Sequence, residues 1–226
     1  MKEFLKNIPI LHTIASKAYV KILNKKFSSS QAYWMKRYAK GGNSGAGSCG
    51  RHAEFKAEVL NTLVSRENIK TIIEYGCGDG NQLRLARYEN YLGFEVSPEA
   101  IRKCNTIFHN DTTKKFKLME DYAGEEAEAT LSLDVVYHMI EDDVFEAYMK
   151  RLFSSAQRFV VIYSTNTDIQ ETLQAPHIKH RKFTTWVEAN IQQWRPWQHI
   201  PHSLKNKDGS DKVASFYIYK RRVDDH

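Results

Sequence analysis

The sequence predicts an α/β fold: a mostly parallel sheet with helices on both faces and an antiparallel hairpin at its C-terminal edge. Three observations carry that expectation. Short apolar runs alternate with stretches of helical periodicity along the chain, which implies parallel strands joined by crossover helices. The first run, in "TIIEYGCGDGNQL" (residues 71–83), stops at three alternate glycines, Gly76, Gly78 and Gly80. Ligands of open α/β sheets bind at the carboxyl ends of strands, where such a turn lies. The last two runs, "PWQHI" and "SFYIYKR", are joined by a polar loop containing Gly209 and no helical stretch, so they pair as a hairpin.

The elements follow in order. Residues 1–27 hold Lys2, Lys6, Lys17, Lys21, Lys25 and Lys26 against Glu3. Within them Ile10, Leu11, Ile14, Ala18 and Ile22 recur at helical spacing, and Pro9 suits a first helical position. A basic amphipathic helix is expected, with three uses open: packing on its own domain, docking on an anionic membrane surface, or binding nucleic acid. No recognisable nucleic-acid module accompanies it, so a nucleic-acid partner is not expected. Next, Gly41, Gly42, Gly45, Gly47 and Gly50 fall within ten residues, downstream of Tyr33, Trp34, Arg37 and Tyr38. That composition reads either as a flexible linker or as a mobile lid whose aromatic mouth faces a site. We therefore divide the chain into an N-terminal helix and lid segment, 1–50, and a main domain, 51–226.

From Arg51 the pattern is helical, with Phe55, Val59, Leu60 and Leu63 as the buried stripe. "TIIEYG" is strand one, "NQLRLARY" a helix, and "YLGFEV" strand two. Ser97, Pro98 and Glu99 then supply an N-cap, a first-turn proline and a first-turn acid, starting a helix that runs to about residue 104. "KFKLME" and "ATLSLDVV" are strands three and four. Val144, Phe145, Tyr148, Met149, Leu152 and Phe153 mark a helix over 141–157, and "RFVVIYST" is strand five. A last helix is expected near Thr185, which has capping-box spacing to Glu188.

Bulk properties narrow the function class. At 226 residues with 42% hydrophobic content the chain can bury a sizeable core. Cys49, Cys77 and Cys104 form neither a metal clip nor an even disulfide set, which suits a reducing, cytoplasmic setting. No apolar stretch approaches the ~18 residues of a membrane span. The net charge of +6 sits mostly in residues 1–27.

The glycines do not fit a dinucleotide turn, because Asn81 stands where G-x-G-x-x-G needs its third glycine. The pattern is E-x-G-x-G-x-G from Glu74. "EYGCGDGNQL", with Glu95 closing "YLGFEVS", resembles the first two motifs of class I S-adenosylmethionine-dependent methyltransferases. The resemblance covers about residues 51–222 and implies a Rossmann-like, seven-stranded sheet. It further implies that Glu74 orients the methionine end, that Gly76, Cys77, Gly78, Gly80 and Asn81 pass under the cofactor, and that Glu95, beside Val96, accepts hydrogen bonds from the ribose hydroxyls. A carboxylate with two acceptor oxygens suits a vicinal diol in any case. In the family an acid after strand three meets the adenine amino group, so Asp121, next to Tyr122, is the adenine candidate, with a solvated acidic loop as the alternative. Cys77 reads more easily as a small filler than as a nucleophile.

"SLDVVYHMIEDDVF" is similar to the fourth motif of small-molecule members of the family, which places Asp134 by the methyl group and His138 one turn later. A sulfonium carries its own activation, so the protein must hold an acceptor in line and exclude water. A hydroxyl acceptor also benefits from a base near neutral pH. His138 leads as base with Asp134 as orienter or cofactor contact, against a helix-capping or packing role. His177 and His180 are rival bases or acceptor contacts, and a pair at this spacing is weak for metal. "YWMKRYAKGGNSGAGS" and "HIKHRKFTTWVEANI" resemble stand-alone methyltransferases of bacterial surface-polysaccharide clusters. That resemblance implies methylation of a sugar or phosphate-type decoration, with methylation of nitrogen in a small metabolite, or a non-catalytic cofactor-binding module, as alternatives. Tyr33, Trp34, Tyr38, Trp186, Trp194 and Trp197 offer stacking surfaces, and Arg37, Arg181 and Lys182 attract acidic groups, though these aromatics serve equally as core.

Overall fold

A computed structural model describes residues 27–170, 174–202 and 214–222. The basic helix expected in residues 1–27 lies outside them but for its last residue, and the Gly209 loop lies wholly outside. Seven strands, β1 (Thr71–Tyr75), β2 (Asn90–Glu95), β3 (Lys114–Leu118), β4 (Ala127–Leu133), β5 (Ala156–Ser164), β6 (Trp194–Pro201) and β7 (Ser215–Arg221), form one sheet in the order β3-β2-β1-β4-β5-β7-β6. The first five are parallel, and β7 lies antiparallel between β5 and β6. This is the mostly parallel sheet with an antiparallel C-terminal hairpin that the sequence predicts.

Among the described residues five helices cover it: α1 (Ser30–Ala39), α2 (Gly50–Glu67), α3 (Pro98–Ile107), α4 (Asp142–Ser154) and α5 (Phe183–Asn190). Strand periodicity sends alternate residues to opposite layers. Ile72, Leu131, Phe159 and Val161 join Leu60 and Leu63 of α2 and Cys104 of α3 in one core. Ile73, Val160 and Ile162 join Phe145, Met149 and Leu152 of α4 and Phe183 and Val187 of α5 in the other. Both faces of β1, β4 and β5 are therefore dry, which is why these runs read as nearly continuous apolar segments.

Local signals and outcomes differ at four places. The helix expected over "NQLRLARY" is a single 3-10 turn, Gln82–Leu85. Asn61 of α2 donates to the Leu85 carbonyl at 2.9 Å and accepts from the Arg87 amide at 2.8 Å, taking backbone groups a helix would use. The last helix begins at Phe183 rather than at a Thr185 cap. Asn166, from beyond β5, accepts from the Thr184 amide at 3.2 Å in place of a capping box. The helix over 141–157 is shorter, α4 ending at Ser154 because β5 starts at Ala156. Residues 30–39, read within a linker or lid, form α1, whose N-cap Ser29 accepts from the Ala32 amide at 3.1 Å. At α3 the expected cap is present, Ser97 Oγ accepting from the Ala100 amide at 3.4 Å. No helix among the described residues is long and apolar enough to cross a membrane.

Candidate functional site

The strand order reverses direction between β1 and β4, and at such switch points the connections diverge and leave a crevice. A cavity of about 440 Å³ lies there, floored by Gly76, Cys77 and Gly78 and walled by α1, α2 and α4. An open depression along α3, about 690 Å³, is lined by Pro98, Ile101, Arg102, Asn105, Thr106 and His109 and holds none of the expected site residues.

Gly76, Gly78 and Gly80 have φ of +81°, +61° and +76°, the left-handed region that disfavours a Cβ. Space forbids one too: at Gly76 a Cβ would stand 2.7 Å from Val135 Cγ2, and at Gly78 2.3 Å from Ser44 Oγ. The loop thus presents bare backbone to the cavity and to the segment above it. Glu95, 6% exposed at the end of β2, is pinned by main-chain amides: Oε2 accepts from Gly78 at 3.1 Å, and Oε1 from Val96 at 2.8 Å and Ser97 at 3.2 Å. Burial raises its pKa against the pull of those amides. Glu74, buried in β1, accepts from the Tyr91 hydroxyl at 2.7 Å. Burial pushes its carboxyl up to about 7, with the Tyr91 contact and nearby Lys56 opposing.

Asp134 ends β4 with φ +61°, rare outside glycine. Its carboxylate pairs with Lys56 Nζ at 2.6 Å and accepts from the Tyr137 hydroxyl at 2.8 Å. Lys56, 1% exposed, escaped sequence reasoning because in helix α2 it reads as a solvated position. His138 follows in a 3-10 turn, its Nδ1 2.8 Å from the His177 carbonyl. A carbonyl only accepts, so Nδ1 carries the proton and Nε2 keeps a lone pair. Burial lowers this imidazole to about 4, so it is neutral at physiological pH.

The glycine-rich segment lies over the glycine loop as a strap. Ser44 donates from its amide (3.1 Å) and hydroxyl (2.7 Å) to the Asp79 carboxylate, and the Asp79 amide returns a bond to Ser44 Oγ at 3.0 Å. Tyr38, 2% exposed, meets Ser44 Oγ at 2.9 Å, and Asn81 donates to the Ser48 carbonyl at 2.5 Å. At the mouth Tyr33 stacks on His177 with centroids 4.1 Å apart, Trp34 meets His138 edge-on at 4.9 Å, and Arg37 lies 5.3 Å over Trp34.

Of the sequence-predicted residues, the cavity gathers Trp34, Tyr38, Glu74, Gly76, Cys77, Gly78, Glu95, Val96, Asp134 and His138. Gly80 and Asn81 lie behind the loop, against Cys104 and the strap. Asp121 is exposed at the end of a 3-10 turn, whose first residue, Met119, lines the cavity instead. Tyr122 packs on Phe94 and Tyr75. Tyr33, Arg37 and His177 do not line the cavity but contact Trp34 and His138, which do. His180 Nδ1 lies 2.8 Å from Thr165 Oγ1, and Arg181 is held by Asp142 at 2.6 Å and by the Met139 and Ile140 carbonyls. Trp186, Trp194 and Trp197 pack against Phe145, Phe153 and Phe159, Trp194 as buried core and the other two half-buried against the core. The Cys77 thiol is pushed up, first by its contact with the Cys104 thiol and then by burial, which suits a filler and not a nucleophile. Besides Lys56, sequence reasoning missed Gln82, Ser44, Ser48 and Met119; only the glycine-rich composition around the two serines hinted at a lid.

No protein-family model matches the sequence, and no curated protein matches it. Solved structures do match in fold. The N-methyltransferase NodS from Bradyrhizobium japonicum WM9, in complex with S-adenosylhomocysteine, superposes with TM-score 0.66 at 10% identity, covering 87% of this chain and 100% of that one. Magnesium protoporphyrin IX methyltransferase from Synechocystis PCC 6803, also with bound S-adenosylhomocysteine, gives TM-score 0.60 at 14% identity over 76% of this chain and 84% of that one. The methyltransferase domain of bacterial CtHen1-C gives 0.60 at 16% identity over 76% and 100%. At such identities the likeness is one of fold, and the fold is the Rossmann-like one of these methyltransferases.

Proposed function

We propose that this chain is an S-adenosylmethionine-dependent methyltransferase acting on an oxygen of a small or glycan acceptor, with a sugar or phosphate-type decoration of a surface polysaccharide as the acceptor class. The observation that carries the reading is the meeting of bare backbone at residues 76–78 and the Glu95 carboxylate in one cavity at the switch point. Three further features fit the cofactor. The cavity's about 440 Å³ lies within the roughly 300–1,000 Å³ of small-molecule sites. Oε2 of Glu95 takes one amide where Oε1 takes two, so acceptor capacity remains for a ribose hydroxyl. Phe94 and Met119 supply apolar surface for a purine ring.

When bound, the cofactor supplies an activated methyl group. This chain's residues then have to align the acceptor and receive its proton. In this reading Nε2 of His138 takes the proton of the acceptor hydroxyl, and the carbonyl of His177 fixes the tautomer that makes this possible. Asp134, held by Lys56 and Tyr137, positions the turn that carries the base. The strap and Trp34 close the cavity to water, and Arg37 attracts an acidic acceptor. A cytoplasmic location, with residues 1–27 touching the inner face of a membrane, belongs to the same proposal. Nitrogen methylation is the second reading, favoured by the likeness to NodS.

Calorimetry with S-adenosylmethionine tests the cofactor: Glu95→Ala should weaken binding by about tenfold or more, and equal affinity would count against the reading. Incubating acceptor pools with isotopically labelled donor, and fragmenting any product that gains CH2, decides between oxygen and nitrogen.

A further inference from the structure

Two groups in the cavity have capacity not yet used. Gln82, 9% exposed, donates from Nε2 to the Ala53 carbonyl at 3.0 Å. That bond fixes the amide's orientation, since the reverse would set two acceptors face to face. Its Oε1 is then buried with no hydrogen-bond partner among the described residues, on a side chain that lines the cavity. A buried acceptor left unpaired is costly, and a ligand donor would relieve it. Lys56 is the second group. Its ammonium has three N–H donors, of which Asp134 takes one at 2.6 Å, so donors remain for an incoming anion. Glu74 lines the same cavity with one oxygen engaged by Tyr91.

We propose that Gln82 and Lys56, with Glu74, form a pole for a zwitterionic α-amino-acid group: Gln82 Oε1 and Glu74 accept from its ammonium, and Lys56 donates to its carboxylate. The inference rests on the cofactor reading above, whose ligand ends in such a group. It goes further by assigning that end to two side chains, Gln82 and Lys56, to which the resemblance gives no role. Such a set of acceptors and donors would also discriminate against the same nucleoside without the amino acid.

The test is calorimetric and needs no turnover. Dissociation constants are measured for S-adenosylhomocysteine and for 5′-methylthioadenosine, which lacks the amino-acid end, on the wild type, Gln82→Met and Lys56→Gln. Each substitution should weaken S-adenosylhomocysteine about tenfold and leave methylthioadenosine within about twofold. Equal weakening of both ligands, or of neither, overturns the pole while leaving the cofactor reading intact. A wild type that binds neither ligand overturns both. Removing one partner of a buried ion pair can unfold a protein, so thermal melts of the ligand-free variants accompany the titrations. Gln82→Met carries the test by itself if Lys56→Gln does not fold.

Discussion

His138 sits where three constraints converge: the His177 carbonyl on Nδ1, the edge of Trp34 against its ring, and burial that lowers its pKa to about 4. An unfolded chain would protonate this histidine near 6.5, so between pH 6.5 and 4 the unfolded state binds more protons than the folded one. Stability contributed by the neutral ring is therefore full above 6.5 and lost as pH falls toward 4, a swing of about 3 kcal/mol. Denaturant titrations of wild type and His138→Gln across that window should show the variant losing less. For the proposed oxygen transfer the same shift predicts no His138-dependent fall in turnover from pH 5 to 8 at saturating cofactor, because this base stays neutral throughout; cofactor affinity is expected to change in that range as Glu74 titrates near 7. His138→Ala should slow turnover with little effect on cofactor affinity; unchanged turnover would remove it from the base role.

At the scale of elements, the strap and the glycine loop are one unit. Ser44, Asp79 and Tyr38 tie residues 41–50 to the turn after β1, and the tie needs Gly78 because a Cβ there would meet Ser44 Oγ at 2.3 Å. Gly41→Ala is the control, since Gly41 shares the positive φ but its Cβ would meet nothing within 4 Å. Gly78→Ala should speed amide exchange across 41–50 and lower stability by about 1–3 kcal/mol more than the control. Equal exchange in the two variants would mean the strap is held elsewhere.

For the whole molecule, charge and catalysis are expected to separate. Residues 1–26 hold six lysines against one acid, whereas the cavity is built from residues 29–151. A chain lacking residues 1–26 should bind S-adenosylhomocysteine within about twofold of the full chain. A large loss would make that segment part of the site.

The sheet, its C-terminal hairpin, and the glycine turn with Glu95 at the next strand end were legible in the amino-acid order. Each depends on local rules: alternation along a strand, a left-handed backbone only glycine tolerates cheaply, and a fixed reach from one strand to the next. Tertiary structure alone decided that Lys56 would be buried against Asp134, 78 residues away, that Gln82 would keep a buried oxygen with no hydrogen-bond partner among the described residues, and that "NQLRLARY" would yield its helix to Asn61. It also decided that Trp194 would be core and that Trp186 and Trp197 would pack half-buried against the core. The reason is physical. A side chain's partner across the fold is selected by how layers pack, and no periodicity along the chain records which distant group will stand opposite.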